Sequence, residues 1–295
     1  MGVGTYACLS DLRLNLEYPT ATTTHDTRLR LVLEAVSRDL DEWCGRHFYT
    51  INETRYFDGR AGTARVVDQY SERLTEYRAN LWVDDILAVT SIGMDSDGDA
   101  AWEDTLVATD YILHPWNTWP KTRIDLDLRQ GDYTYWPMGQ QSVKVVGTWG
   151  YGDGQSASPW YTTALTATVA NGTSTSITVS AATGLSAGQT WLIESEQVYV
   201  ESIPPASTTA VVVRGVNGTT GAAHAAQMIK IAEYPGQIEE ACLLQSQRFF
   251  LRRTAPFGVA GAADMGQTSV RIPGLDPDVK HLVQAFRRSI YKGAM

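Results

Sequence analysis

Few residues in this chain are spaced for chemistry. Asp95, Asp97 and Asp99 alternate in the run DSDGD, with Glu103 beyond, and alternating carboxylates are one way to ligate Ca²⁺. An EF-hand loop needs Gly at its sixth position and Glu at its twelfth. This chain has Ala100 and Leu106 there, so the run reads as a solvated hairpin turn. Cys44 and His47 have C-x-x-H spacing, but no second pair follows to complete a tetrahedral zinc site. The histidines His25, His47, His114, His224 and His281 are scattered, and no serine stands in a G-x-S-x-G elbow. The glycines of GYGDG match neither phosphate-cradling pattern. These readings predict no catalytic set, no bound metal and no cofactor, so the chain is not expected to be an enzyme.

The elements that would position side chains change period along the sequence. Leu29, Val32, Leu33, Val36, Leu40 and Trp43 recur at three- and four-residue steps, which predicts a helix over residues 24–45, with Asp26 as N-cap and Gly45 just past its end. A shorter helix is expected from Ser10 to Pro19. Six β-rich runs follow, TRYFDG, ARVVD, ILAVTSIGM, TDYILH, RIDLDL and SVKVVGTWGYG, bounded by turn residues in the manner of antiparallel hairpins. Trp116, Trp119, Trp136, Trp149 and Trp160 fall among these strands, where such aromatics serve a core or a subunit interface. Helix returns at Gly236 or Gln237, stops at Pro256 and Gly258, and opens again at Asp276-Pro277.

Composition divides the chain further. Residues 161–230 hold 20 Ser or Thr but only five charged residues, with turn signals at Asn171-Gly172 and Asn217-Gly218 and a loop at Pro204-Pro205. They read as an inserted all-β module over 161–234, folding on its own. Residues 1–160 and 235–295 are then the main domain. The expected class is α+β: a helical bundle with an antiparallel sheet or small barrel, plus that module. The chain's 24 Lys+Arg against 33 Asp+Glu leave a net charge of −9, which opposes non-specific nucleic-acid binding by the whole surface. From Ile238 to Met295 eight basic residues face five acidic ones, so this arm is basic on an acidic body. No run is long and apolar enough to span a bilayer, and MGVGTYACLSDLR has neither part of an export signal, so a soluble protein is expected. Three well-separated cysteines, Cys8, Cys44 and Cys242, fit small core residues in a reducing compartment.

The order of segments carries a resemblance. The helix ending EWCGRHF contains Arg46-His47-Phe48, the strand closing VKVVGTWGYG contains Gly150-Tyr151-Gly152, and PGQIEEA spans Pro235 to Ala241. An Arg-Arg segment runs from Arg252 to Gly258, and Leu-Asp-Pro-Asp-Val from Leu275 to Val279 precedes the final helix. In this order the chain resembles the head-to-tail adaptor (connector) proteins of tailed bacteriophages, with the module at about 161–233 as a departure. The resemblance implies a homo-oligomeric ring, twelvefold in most members, at the neck of the virion and assembled in the host cytoplasm. Its partners would be the portal protein and a stopper or tail-terminator protein, with no membrane. Packaged double-stranded DNA would pass through the lumen without sequence-specific binding, in keeping with an acidic body. The family's carboxy-terminal tail packs into the portal, which places portal-binding residues at Arg271, Asp276, Lys280, Arg287, Arg288, Tyr291 and Lys292. GVAGAADMGQ and the arm after it are expected to stay mobile until assembly. Two rival readings are a tail or decoration protein whose β module binds host-surface carbohydrate or another virion protein, and a hydrolase with an unrecognised site.

Overall fold

A computed structural model describes residues 4–18, 23–59, 62–67, 74–252 and 274–288. Within it the chain divides into two compact units, Met1–Tyr49 with Trp160–Arg288, and Thr50–Pro159.

The first unit joins four helices to a closed barrel. Helix α2 (Asp26–Cys44) buries Leu29, Leu33, Val36 and Leu40, the stripe its periodicity predicts, and ends at Gly45 in the left-handed region, φ 64°. Asp26 is its first helical residue; His25 stands at the N-cap and makes no capping bond. Helix α1 (Leu9–Asn15) also starts without a side-chain cap, so Ser10 does not play the role its hydroxyl invites. Helix α3 (Gly236–Arg252) buries Ile238, Ala241, Cys242 and Phe250, and α4 (Pro277–Val283) buries Val279 and Val283. Pro256 and Gly258, the expected stop of α3, lie outside the described residues.

Strands β8 (Trp160–Val169), β9 (Ser176–Val179), β10 (Thr190–Ile193), β11 (Glu196–Ser202), β12 (Thr209–Val213) and β13 (His224–Ala232) close in the order β10-β11-β12-β9-β8-β13. Their alternating apolar residues meet inside, around Trp191, Ile193, Val198, Val200 and Ile229, none of which reaches solvent. The barrel is hydrogen-bonded to the helices of its unit. Leu9 N–H donates to the Ala187 carbonyl at 2.9 Å, Ser10 N–H to Ser186 Oγ at 3.0 Å, and Tyr199 Oη to Glu34 Oε1 at 2.7 Å.

The second unit is an antiparallel sheet. Strands β1 (Ile51–Phe57), β7 (Val143–Trp149), β3 (Leu74–Met94), β6 (Lys121–Leu126) and β5 (Tyr111–His114) lie side by side in that order. Strands β2 (Gly62–Val67) and β4 (Asp104–Leu106) pair with β3. Its core holds Ile86, Ile92, Ile124, Trp136 and Trp149, all fully buried. The strands overlap all six runs read from the sequence, but β3 begins twelve residues before its predicted Ile86.

The expected helical bundle is not what forms. Among the described residues, β structure predominates, in an antiparallel sheet and a six-stranded barrel. Only α2 and α3, at 19 and 17 residues, run beyond two turns, and α1 and α4 have seven residues each. Two seven-residue helices cannot carry the long interdigitating faces that a bundle needs.

Candidate functional site

The basic end of the chain is the candidate site that sequence reasoning marks out, and it is built at the end of α2. The last four carbonyls of a helix lack intrahelical partners. Here Gly45 and Arg46 turn back to bond the carbonyls of Glu42 and Asp41, and Arg288 N–H donates to the Cys44 carbonyl at 2.7 Å. The rings of Phe48 and Phe286 meet edge-on at 5.8 Å. On the last turn of α2, the half-buried Trp43 carries two cations: Lys280 Nζ lies 5.1 Å and Arg287 Cζ 5.3 Å from its ring centroid. Arg46, Lys280, Arg287 and Arg288 thus gather where the helix dipole is negative. Burial pushes the Cys44 thiol up to about 11, although Arg46 and Arg287 pull it down.

Of the acidic residues of the terminal segment, Asp276 faces inward and Asp278 stays exposed. Asp276 is 4% exposed and receives Arg248 at 2.9 Å and Arg252 at 2.9 Å, while Asp278 takes the other branch of Arg248 at 2.7 Å. Gln245, fully buried on α3, donates to the Gly274 carbonyl and accepts Asp276 N–H. The final helix is therefore docked within the single chain, against the expectation that the whole arm is loose. Apolar burial of Val279 and Val283 and an internal ion-pair network hold it. Of the predicted portal-binding residues, Lys280, Arg287 and Arg288 come together and Asp276 is spent inside the fold. Arg271, Tyr291 and Lys292, and the stretch GVAGAADMGQ, lie outside the described residues. Sequence reasoning placed neither Trp43 nor Arg46 in the site: Trp43 was one more apolar residue of the helix stripe, and Arg46 only part of the Arg46-His47-Phe48 element. No known protein-family model matches the chain, and no characterised protein sequence does.

The other polar clusters lie elsewhere in the chain. Asp95, Asp97 and Asp99 each bring a carboxylate oxygen within 4.8 Å of the others. Asp95 accepts the N–H groups of Gly98 and Ala100, Asp97 that of Asp99, and Asp99 that of Ala101, so the acidic run caps its own turn. Cys44 and His47 have separate partners: His47 Nδ1 pairs with the Tyr49 carbonyl, and the fully buried Cys44 Sγ lies 4.0 Å from the Val283 carbonyl. At one end of the barrel, Glu196 is fully buried and accepts both branches of Arg214 at 2.6 Å, the N–H groups of Gly215 and Ala222 at 3.0 Å, and His224 Nε2 at 2.8 Å. His224 Nδ1 contacts Glu194 at 2.8 Å. Burial alone would raise the Glu196 carboxyl, but Arg214, His224 and these N–H groups bring it down to about 2.

The sheet unit exposes aromatic surface. Trp82, Arg123 and His114 sit opposite one another on β3, β6 and β5, with Arg123 5.4 Å from the Trp82 ring centroid. Trp116 Nε1 donates to His114 Nε2 at 2.9 Å and is 60% exposed, and Trp82 is 47% exposed. Trp136 and Trp149 are core residues.

Proposed function

We propose that the chain is a structural virion protein, a ring-forming adaptor between the portal vertex of a phage head and the tail or stopper, with no enzymatic role. The observation that carries this reading is the meeting of two distant segments. EWCGRHF and LDPDVKHLVQAFRR, both part of the resemblance to head-to-tail adaptors, fold onto one another through Arg288, Phe286 and the cations on Trp43. Their product is a fixed cationic platform on a protein of net charge −9, suited to an acidic patch on a partner ring. The contiguous Trp82, Arg123, His114 and Trp116 surface supports self-association, because interface cores are enriched in aromatics and Arg. Repeating one heterologous contact closes a ring at a fixed rotation, and weak contacts to the portal then multiply around it. Among the described residues no helix is long and apolar enough to cross a membrane; a place at the virion neck belongs to the proposal.

The test is attachment to portal-containing heads. Lys280→Glu with Arg287→Glu should reduce attachment at least tenfold at low salt, and wild-type attachment should weaken as salt rises. Undiminished attachment by the double variant would overturn the assignment of this platform to the portal.

A further inference from the structure

The first unit contains a small cavity of about 140 Å³, lined by polar and apolar residues alike, that none of the features above explains. It lies where α1, the start of β10 and the start of α3 come together, and its wall includes Cys8, Asp11, Gln189, Thr190, Tyr234 and Glu239. A space this small is below the usual 300–1,000 Å³ of drug-sized sites, which limits its occupant to a few heavy atoms.

Its lining holds two hydroxyls without partners and two carboxylates. Thr190 is 2% exposed, and its Oγ1 and Tyr234 Oη are both buried; the two hydroxyls face one another, yet neither completes a well-formed hydrogen bond. Gly4 packs close by: a Cβ there would lie 3.3 Å from Tyr49 Cβ, 3.5 Å from Tyr234 Oη and 3.6 Å from Thr190 Oγ1. Buried polar atoms without partners are rare and call for an occupant. Two carboxylates stand at the same cavity: Glu239 is half-buried, while Asp11 is exposed and accepts the Cys8 thiol at 2.9 Å, and among the described residues neither has an ion-pair partner. Glu239 accepts the Tyr234 backbone N–H, and burial, Asp11 and Glu233 together raise its carboxyl. The nearby cation, Arg38, is already committed to Asp41 at 3.2 Å, to the Gly4 carbonyl at 2.9 Å, and to the Tyr6 and Tyr49 rings.

From this geometry we infer that the cavity is a binding site for a primary ammonium group on a short alkyl chain, either a free small amine or a lysine side chain. An ammonium carries three donors and no acceptor, which matches a wall of two carboxylates and two hydroxyl oxygens. Water can satisfy the hydroxyls but brings no positive charge to the half-buried Glu239. This inference does not depend on the adaptor reading.

The experiment is calorimetric titration of the full chain with n-butylammonium chloride, using n-butanol and KCl as controls. Saturable binding of butylammonium alone is expected, weakened about tenfold or more in Glu239→Gln and in the near-isosteric Thr190→Val. No saturable binding, equal binding of butanol or K⁺, or unchanged affinity in both folded variants would overturn the site and leave it a water pocket. Sedimentation with and without butylammonium then separates the two sources, and either result supports the site: loss of an oligomer identifies a lysine of a second copy, and unchanged mass identifies a free amine.

Discussion

Glu196 keeps its charge in full burial because Arg214, His224 and two backbone N–H groups surround it. Glu196→Gln would leave Arg214, itself only 6% exposed, as a buried unpaired cation, and should cost about 3–5 kcal/mol by denaturant unfolding. A loss below about 1 kcal/mol would show that the cluster is not a staple of the barrel. Its carboxyl lies at about 2, below the unfolded value of roughly 4.3, so its contribution is present above that value and fades as pH falls toward 2. Asp41 has the opposite sign. Burial lifts its carboxyl to about 7 although Arg38 and the Tyr6 hydroxyl favour its charge, so its contribution is present below the usual carboxylate range and is lost as pH rises through 7. Asp41→Asn should therefore flatten the fall in thermal midpoint between pH 5 and 8; parallel curves for the two proteins would contradict this. Neither cluster was legible in the sequence. Glu196, Arg214 and His224 are spaced by barrel closure rather than by a motif, and Asp41 looks like one more acid on a polar helix face.

Local elements were the most legible level. The stripe of α2, its end at Gly45, the start of α3 and the Asp276-Pro277 opening of α4 all follow from side-chain period and from Gly and Pro geometry. The first half of β3 did not, because its charged sequence, LTEYRANLWVDD, hides a strand whose existence depends on neighbours on both sides. The Gly-Tyr-Gly turn has a clear physical requirement. Gly152 has φ 62°, and a Cβ there would lie 2.8 Å from Pro159. Gly152→Ala should cost about 1–3 kcal/mol, read from unfolding of the sheet unit, and a neutral effect would refute that strain. The docking of α4 is also testable. Replacing both Arg248 and Arg252 with Ala strips Asp276 of its cations, and amide exchange over residues 277–286 should rise by at least tenfold while the barrel amides stay protected. Unchanged protection of the helix would mean that Val279 and Val283 hold it alone.

At the scale of the whole chain, local signals said least. A chain with four predicted helices invites a bundle, but two are too short to build one, and closure of six Ser- and Thr-rich strands is a non-local event that no window of sequence displays. The sequence likewise gave no sign that the loop at Ser186 and Ala187 would bond α1 or that Tyr199 of β11 would bond α2. The order of segments and the basic platform are the grounds of the adaptor proposal, and assembly is its central claim. Electron microscopy of the purified chain, alone and with its portal, is the most direct measurement. The adaptor account predicts closed rings of one size, stacked coaxially on the portal at low salt and released when Lys280 and Arg287 are reversed. Monodisperse monomers that neither close into rings nor join the portal at any salt would contradict it.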